Sequence, residues 1–397
     1  MVKYPFQPDI LDALPEELAE LFRGLEITLL EEICSRLKLA DQLNEVTVQD
    51  IRALRSHGID LNDIEKAIRE TTGISQKKLD QLLNDVVERN QEYYTELIDI
   101  AAVTKPEMLV SERDIEAIRQ QTKDAFTNLT KSMGFLVDNG RTMLEPAKVY
   151  QWALNSAEMQ IQSGAIRYNQ AIKMAVTQLT GSGLKTVYYE SGRREQIDVA
   201  VRRAVMSGVN QINQKYREQS MDYLGTDLVE TTAHLGARNI DGPNGWENHE
   251  AWQGRLFRWS QKPKTSTGEY PDFEETCGYG SVTGIGGANC RHSFYGFVEG
   301  VMEPTYSQAD LDALKGENHK FEFEGKEYDG YSATQKQRDI EATVRSLKRK
   351  QAGYKAAGLT EDEQAVSIRI RRLNSEYKAF SKAAGLPEQK ERMKILY

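Results

Sequence analysis

Apolar residues recur at intervals of three and four along the first part of the chain, and this spacing predicts that its fold is helical. One helical face is marked by Ile10, Leu11, Leu14, Leu18, Leu21 and Phe22. The same spacing returns at Leu29, Leu30, Ile33 and Leu37, and such a repeat indicates an amphipathic helix. We therefore predict an all-helical scaffold domain over residues 1–182, in which Cys34 packs beside the apolar stripe as a small buried hydrophobe.

Two breaks are predicted inside this scaffold. Thr47 and Asp50 resemble a capping box that opens a short helix. Gly73 separates two later helices, and Ser75 is a suitable N-cap for the second of them. A longer helix is indicated by one apolar face that carries Ile115, Ile118, Phe126, Leu129 and Met133.

The pattern changes at "LTGSGLKTVYYESG", where three glycines follow in quick succession and predict a domain boundary near residue 182. A helix from about Gly192 to Gln219 is predicted next, because apolar residues again recur at helical spacing. Short apolar runs such as "LFRWS" and "SFYGFV" favour a compact α+β domain, so we assign residues 183–303 to the long helix and this domain. For residues 304–397 we predict a hairpin around Gly325 followed by two basic helices. The predicted fold class is mainly α with a small α+β domain.

Composition narrows the class of protein further. No apolar run approaches the roughly 20 residues of a membrane span, and the start "MVKYPFQPDI" lacks the apolar core of a secretory signal. Cys34, Cys277 and Cys290 form an odd and sparse set, which argues against a disulfide framework. We expect a protein that is made in the cytoplasm with reduced thiols.

Charge is distributed unevenly along the chain. From Tyr331 onward the tail carries 15 Lys and Arg against 8 Asp and Glu, so its net charge is +7 and that of the remainder is −16. A polyanion such as DNA would therefore meet the tail. The candidate contacts are Arg345, Lys348, Arg349, Lys350, Arg369, Arg371 and Arg372. The short N-terminal helices are of mixed charge, which argues against a DNA-reading helix-turn-helix regulator.

The stretch "CGYGSVTGIGGANCRHSF", which begins at Cys277, concentrates glycines between two cysteines and a histidine. Its glycines miss the Gly-x-Gly-x-x-Gly spacing of a dinucleotide loop by one residue, and no Gly-Lys-Ser/Thr follows. Tight packing against neighbouring segments is the simpler use of these glycines.

Two hypotheses that assign a chemical role to the same region remain as alternatives to simple packing. The first is a zinc site with ligands drawn from His234, His249, Cys277, Cys290 and His292, although no Cys-x-x-Cys pair anchors it. The second is a thiolate nucleophile at Cys290 with His234 or His249 as base and Asn289 or Glu247 as the group that orients the base. Either would make the middle domain a zinc- or cysteine-dependent hydrolase or transferase-like module centred on Cys290 and His292.

Five segments in a fixed order resemble the tailed-phage minor capsid proteins, the phage minor capsid protein 2 family, which is distantly similar to the Mu F-like head morphogenesis proteins. They are "SGRREQIDVAVRRAVMSGVNQ", "DLVETTAHLGARN", "NHEAWQGRLF", "CGYGSVTGIGGANCRHSFYGF" and "GYSATQKQRDIEATVRSLKRK". The matching positions are His234, Arg238, His249, Gln253, Gly254, Cys290, Arg291 and His292, carried over as a family signature without an assigned reaction. Between Arg238 and His249 this chain inserts "NIDGPNGWEN", where relatives are usually shorter.

The resemblance implies a structural protein of the phage head rather than an enzyme, with no cofactor. It would lie in the virion in several copies, at the portal vertex or the inner capsid face, and act in head assembly or in DNA packaging and ejection. The implied partners are the portal protein, the major capsid protein or both, and packaged DNA through the basic tail; no membrane is involved.

Overall fold

The computed structural model describes residues 4–39, 62–101, 108–162, 168–187, 192–287 and 290–395. The protein is mainly helical with small antiparallel sheets, which confirms the predicted fold class. The helices are α1 (Pro8–Ala13), α2 (Glu16–Leu39), α3 (Asn62–Ile100), α4 (Glu112–Lys131), α5 (Pro146–Gln162), α6 (Tyr168–Ser182), α7 (Ile197–Leu224), α8 (His249–Trp252), α9 (Phe273–Cys277), α10 (Gln308–Leu314), α11 (Gly330–Ala356) and α12 (Thr360–Ala383). None of the described helices is long and apolar enough to cross a membrane.

The strands form three separate antiparallel sheets. The first has the order β2 (Thr142–Leu144), β1 (Gly134–Val137), β3 (Leu184–Val187), β4 (Arg194–Gln196). The second places β5 (Leu228–Thr231) between β6 (Leu256–Arg258) and β7 (Phe294–Phe297). The third is the hairpin of β8 (Phe321–Phe323) and β9 (Lys326–Tyr328), which confirms the hairpin expected around Gly325.

The N-terminal part departs from the prediction in two ways. It is not all-helical, because β1 and β2 form a hairpin that pairs with β3 on the far side of residue 182. Gly73 and Ser75 do not separate two helices either, since both lie inside the continuous 39-residue helix α3. The buried Ser75 hydroxyl donates to the Thr72 carbonyl of its own helix. The predicted capping box at Thr47 and Asp50 lies outside the described residues.

Helix α7 is the central element of the core. It begins at Ile197 rather than near Gly192, because residues 194–196 pair with β3 as strand β4. It packs against α2, α3 and α4, and its side chains Val201, Val205 and Val209 are fully buried. Cys34 is likewise fully buried in the core that these helices share, as expected from its position beside the apolar stripe.

The C-terminal helices close over this core. Helix α11 opens with a capping box in which Asp329 accepts from the Ser332 N–H and the Ser332 hydroxyl accepts from the Asp329 N–H. It packs against α2, α6 and α12. A second, aromatic core lies around Trp252, Phe273 and Phe294 beneath the β5–β7 sheet. The division of the chain at residues 182 and 303 stays a prediction.

Candidate functional site

Three histidines meet just beyond the ends of strands β5 and β7. Thr231 of β5 pairs with Phe294 of β7, and one residue further the Thr232 N–H donates to the Ser293 carbonyl at 2.8 Å. This register places the segments that carry His234 and His292 side by side just beyond the strands. The imidazole rings of these two residues stack with their centroids 4.4 Å apart. His249, the first residue of α8, meets His292 edge-on at 5.3 Å.

Gln253 connects the two segments that bear these histidines. It is 3% exposed, and its Oε1 accepts from the His234 backbone N–H at 3.0 Å and from His292 Nε2 at 3.1 Å. Because a carbonyl oxygen only accepts, His292 carries its proton on Nε2. Its Nδ1 is therefore the lone-pair nitrogen, and it lies 3.7 Å from Cys290 Sγ.

The other two imidazoles are oriented by backbone carbonyls. His249 Nε2 lies 2.9 Å from the Thr283 carbonyl, and His234 Nδ1 lies 3.0 Å from the Leu235 carbonyl. Each of these nitrogens is consequently the protonated one. The opposite nitrogen of His234, Nε2, is buried and has no hydrogen-bond partner among the described residues.

Burial keeps the cluster uncharged. It lowers the pKa of His234 to about 3, with Arg291 adding to the effect, and it lowers the pKa of His249 and, well below its ordinary value, that of His292. It also raises the pKa of the Cys290 thiol. The imidazoles are therefore neutral at neutral pH, the state in which an imidazole can ligate a metal.

A cavity of about 290 Å³ opens beside the cluster. It is lined by the three histidines, by the cations Arg238, Arg291 and Arg338, and by Tyr331 and Gln335 of α11. Burial, together with the nearby Arg338, lowers the pKa of Arg291 to about 10. Arg291 Nη1 lies 3.9 Å from Asp12 Oδ2 of α1. Guanidinium groups in such a recess are suited to holding an oxyanion.

The structure separates the sequence-derived ligand candidates. One ligand atom each from His249, Cys290 and His292 lies within 4.8 Å of the others. Cys277 is not in this group: it is fully buried in the aromatic core with Phe273, where burial raises the pKa of its thiol.

Glu247 does not support the hypothesis that Cys290 is a nucleophile. Its carboxylate accepts from the Asn244 side chain at 2.7 Å and from the Asn244 backbone N–H at 3.2 Å, so it is engaged within its own turn. The other proposed orienting group, Asn289, lies outside the described residues.

The glycine-rich stretch folds back onto itself. Gly278 ends α9 with φ of +62°, and a Cβ there would lie 2.5 Å from Trp246 Cγ. A Cβ on Gly284 would lie 2.0 Å from the Gly278 carbonyl oxygen. Both positions exclude any side chain, which supports the packing explanation of these glycines.

The family-signature residues converge despite the insertion between Arg238 and His249. Arg238 Nη1 donates to the Thr283 carbonyl at 3.3 Å, the same oxygen that His249 Nε2 contacts. The Arg238 carbonyl accepts from the Glu250 N–H at 3.0 Å. Gln253 and Gly254 end α8, and Arg291 Nη2 donates to the Gly236 carbonyl at 3.4 Å.

Three of the candidate polyanion contacts are engaged inside the protein. Arg345 lies 3.4 Å from Asp198, Arg349 lies 3.6 Å from Glu26, and Lys348 Nζ donates to the Met393 carbonyl at 2.5 Å. These three therefore do not present their charges to a partner. The surface that remains consists of the half-buried Lys350 and the exposed Arg369, Arg371 and Arg372.

Sequence reasoning missed the contribution of α11 and α1 to the site. Tyr331, Gln335 and Arg338 belong to the fifth of the family-like segments, but nothing in the sequence connects that segment, or Asp12, with the histidines. The start of α11 packs against the loop after β5, where a Cβ on Gly236 would lie 2.6 Å from Thr334 Cγ2, and Asp12 reaches the site through Arg291.

Comparison with known proteins assigns the family. No curated protein and no solved structure matches the chain significantly. The family model for phage minor capsid protein 2 matches residues 6–382, nearly the whole chain. This match confirms the resemblance seen in the sequence: the chain belongs to the phage minor capsid protein 2 family, structural proteins of the bacteriophage capsid.

Proposed function

We propose that this protein acts at the portal vertex or on the inner capsid face, where several copies bind the portal protein, the major capsid protein or both. It would act there in head assembly or in DNA packaging and ejection. The observation that carries the proposal is the family match over residues 6–382, which includes the helical part and the tail as well as the middle region.

The tail supports a contact with a polyanion. Arg369, Arg371 and Arg372 are exposed on α12, in a segment with a net charge of +7. Packaged DNA and an acidic assembly protein both present negative charge that such a surface would attract. DNA is the partner that we propose, because its closely spaced phosphates can meet several of these side chains at once.

Purified particles provide the direct test. We expect quantitative mass spectrometry of gradient-purified phage heads to find this protein at a fixed ratio to the portal protein, and to find it still in mature particles. A ratio that matches the portal's ring would support the portal vertex, and a much higher ratio would support the capsid lattice. Absence from particles, with the protein left free in the lysate, would contradict the proposal.

A further inference from the structure

Three side chains beside the cavity have the spacing of metal ligands. The ligand atoms of His249, Cys290 and His292 lie within 4.8 Å of one another, and Cys290 Sγ lies 3.7 Å from His292 Nδ1. In a tetrahedral zinc site, a sulfur at about 2.3 Å and a nitrogen at about 2.0 Å from the metal are roughly 3.6 Å apart. The Cys290–His292 pair already has that separation.

The groups behind the imidazoles also match those of a metal site. A ligating histidine almost always donates its second ring N–H to a carbonyl or carboxylate, which fixes the tautomer and the ring direction. His292 Nε2 donates to Gln253 Oε1 and His249 Nε2 donates to the Thr283 carbonyl. Both rings are therefore held with Nδ1 as the lone-pair nitrogen, and Nδ1 of His292 faces the sulfur.

A thiol–imidazole hydrogen bond alone explains less of this arrangement. It would account for the partly buried Cys290 and the 5% exposed His292, which lie two residues apart in the chain. It would not account for the third ligand atom, which a different element brings within 4.8 Å of the other two. His249 comes from α8, some forty residues earlier in the chain, and it is 2% exposed.

We propose that the protein binds one zinc ion through His249, Cys290 and His292. Thiolate and imidazole ligands select zinc over magnesium or calcium, which prefer oxygen. With three protein ligands, the fourth position is left for water or an anion. The cavity that His249 and His292 line supplies the space, and its arginines favour an anionic fourth ligand. This inference is independent of where the protein sits in the phage head.

Metal content and cobalt spectroscopy on the full-length protein test the site. Protein purified without chelators or metal-affinity resins from zinc-supplemented cells should contain one zinc per chain by inductively coupled plasma mass spectrometry. After the zinc is removed, Co²⁺ should restore one equivalent of metal and produce a thiolate-to-cobalt charge-transfer band. Folded wild-type protein that holds no zinc and shows no such band with Co²⁺ would overturn the proposal.

Two cysteine variants identify the sulfur ligand. Cys290→Ser should lose the charge-transfer band and bind zinc at least tenfold more weakly, whereas Cys277→Ala, which removes the neighbouring buried thiol, should keep both. The opposite pattern would overturn the assignment to Cys290. Circular dichroism checks that each variant is folded, and if Cys290→Ser does not fold, the wild-type cobalt spectrum decides by itself.

Discussion

Glu26 is a carboxyl group that the fold has removed from water. It is 4% exposed on α2, where its Oε1 accepts from the Leu184 N–H at 2.5 Å and its Oε2 lies 3.6 Å from Arg349. Burial raises its pKa to about 7 even though Arg349 acts in the opposite direction. Since the pKa of an unfolded-chain glutamate is about 4.3, the folded state binds a proton here that the unfolded state has released.

The raised pKa of Glu26 makes the stability of the folded protein fall as pH rises. The stabilising contribution of the Glu26 proton is fully present below about pH 4 and is lost as pH rises through about 7. We expect Glu26→Gln to gain stability relative to the wild type as pH rises from 5 to 8, by at most about 1.4 kcal/mol per pH unit. Urea unfolding at several pH values measures this difference. Parallel pH profiles for the two proteins would contradict the assigned pKa.

Two glycines that each lie inside a long helix have opposite structural roles. Gly208 of α7 faces α4, and a Cβ there would lie 2.4 Å from Oγ1 of the buried Thr122. Gly73 lies exposed within α3, and a Cβ there would meet nothing within 4 Å. One glycine permits two helices to approach closely, and the other only weakens its own helix.

Alanine substitutions should therefore change stability in opposite directions. Gly208→Ala should destabilise by about 1–3 kcal/mol, because the methyl group overpacks the α4–α7 contact. Gly73→Ala should stabilise by about 0.5–1 kcal/mol, because it removes backbone freedom from the unfolded chain at no steric cost. Urea midpoints of the two variants, compared with the wild type, check both. A stabilised Gly208→Ala would mean that α4 and α7 are not packed as described.

The whole molecule joins its two ends through charged contacts. Asp12 of α1 accepts from Arg202 of α7 at 2.5 Å and from Arg392 near the C-terminus. Part of the tail's positive charge is thus neutralised inside the protein. The candidate contacts that remain available are Arg369, Arg371 and Arg372 on α12, with the half-buried Lys350 of α11. The rest of the chain has a net charge of −16, so we expect bound DNA to contact chiefly the α12 arginines.

Salt and charge removal test that localisation. We expect duplex DNA to bind more weakly as salt rises from 50 to 200 mM, by about 40-fold if three phosphates are contacted, because bound counterions are released. Neutralising Arg369, Arg371 and Arg372 to Gln should remove most of the binding. Fluorescence anisotropy of labelled DNA measures both effects.

A matched control removes the same charge elsewhere. Lys66, Arg69 and Lys77 are exposed on α3, and changing them to Gln should leave DNA affinity within about twofold. Equal loss in the two triple variants would show that net charge rather than the α12 surface governs binding. No binding by the wild type at 50 mM salt would leave an acidic assembly protein as the tail's partner.

The helical class, the hairpin around Gly325, the burial of Cys34 and the family could all be predicted from the amino-acid sequence. Periodicity and turn residues are local signals, and the ordered family motifs can be recognised without a structure. The sequence also identified His249, Cys290 and His292 as candidate metal ligands, but it did not distinguish them from Cys277 and His234. Only the tertiary structure showed which of these share a site, because β5–β7 pairing and the packing of α8 set those distances. The structure alone showed that helix α3 continues through Gly73, because intrinsic helix propensity is weak compared with tertiary packing. It also showed that Arg345, Lys348 and Arg349 are engaged internally, because neighbours distant in sequence decide whether a charge faces water.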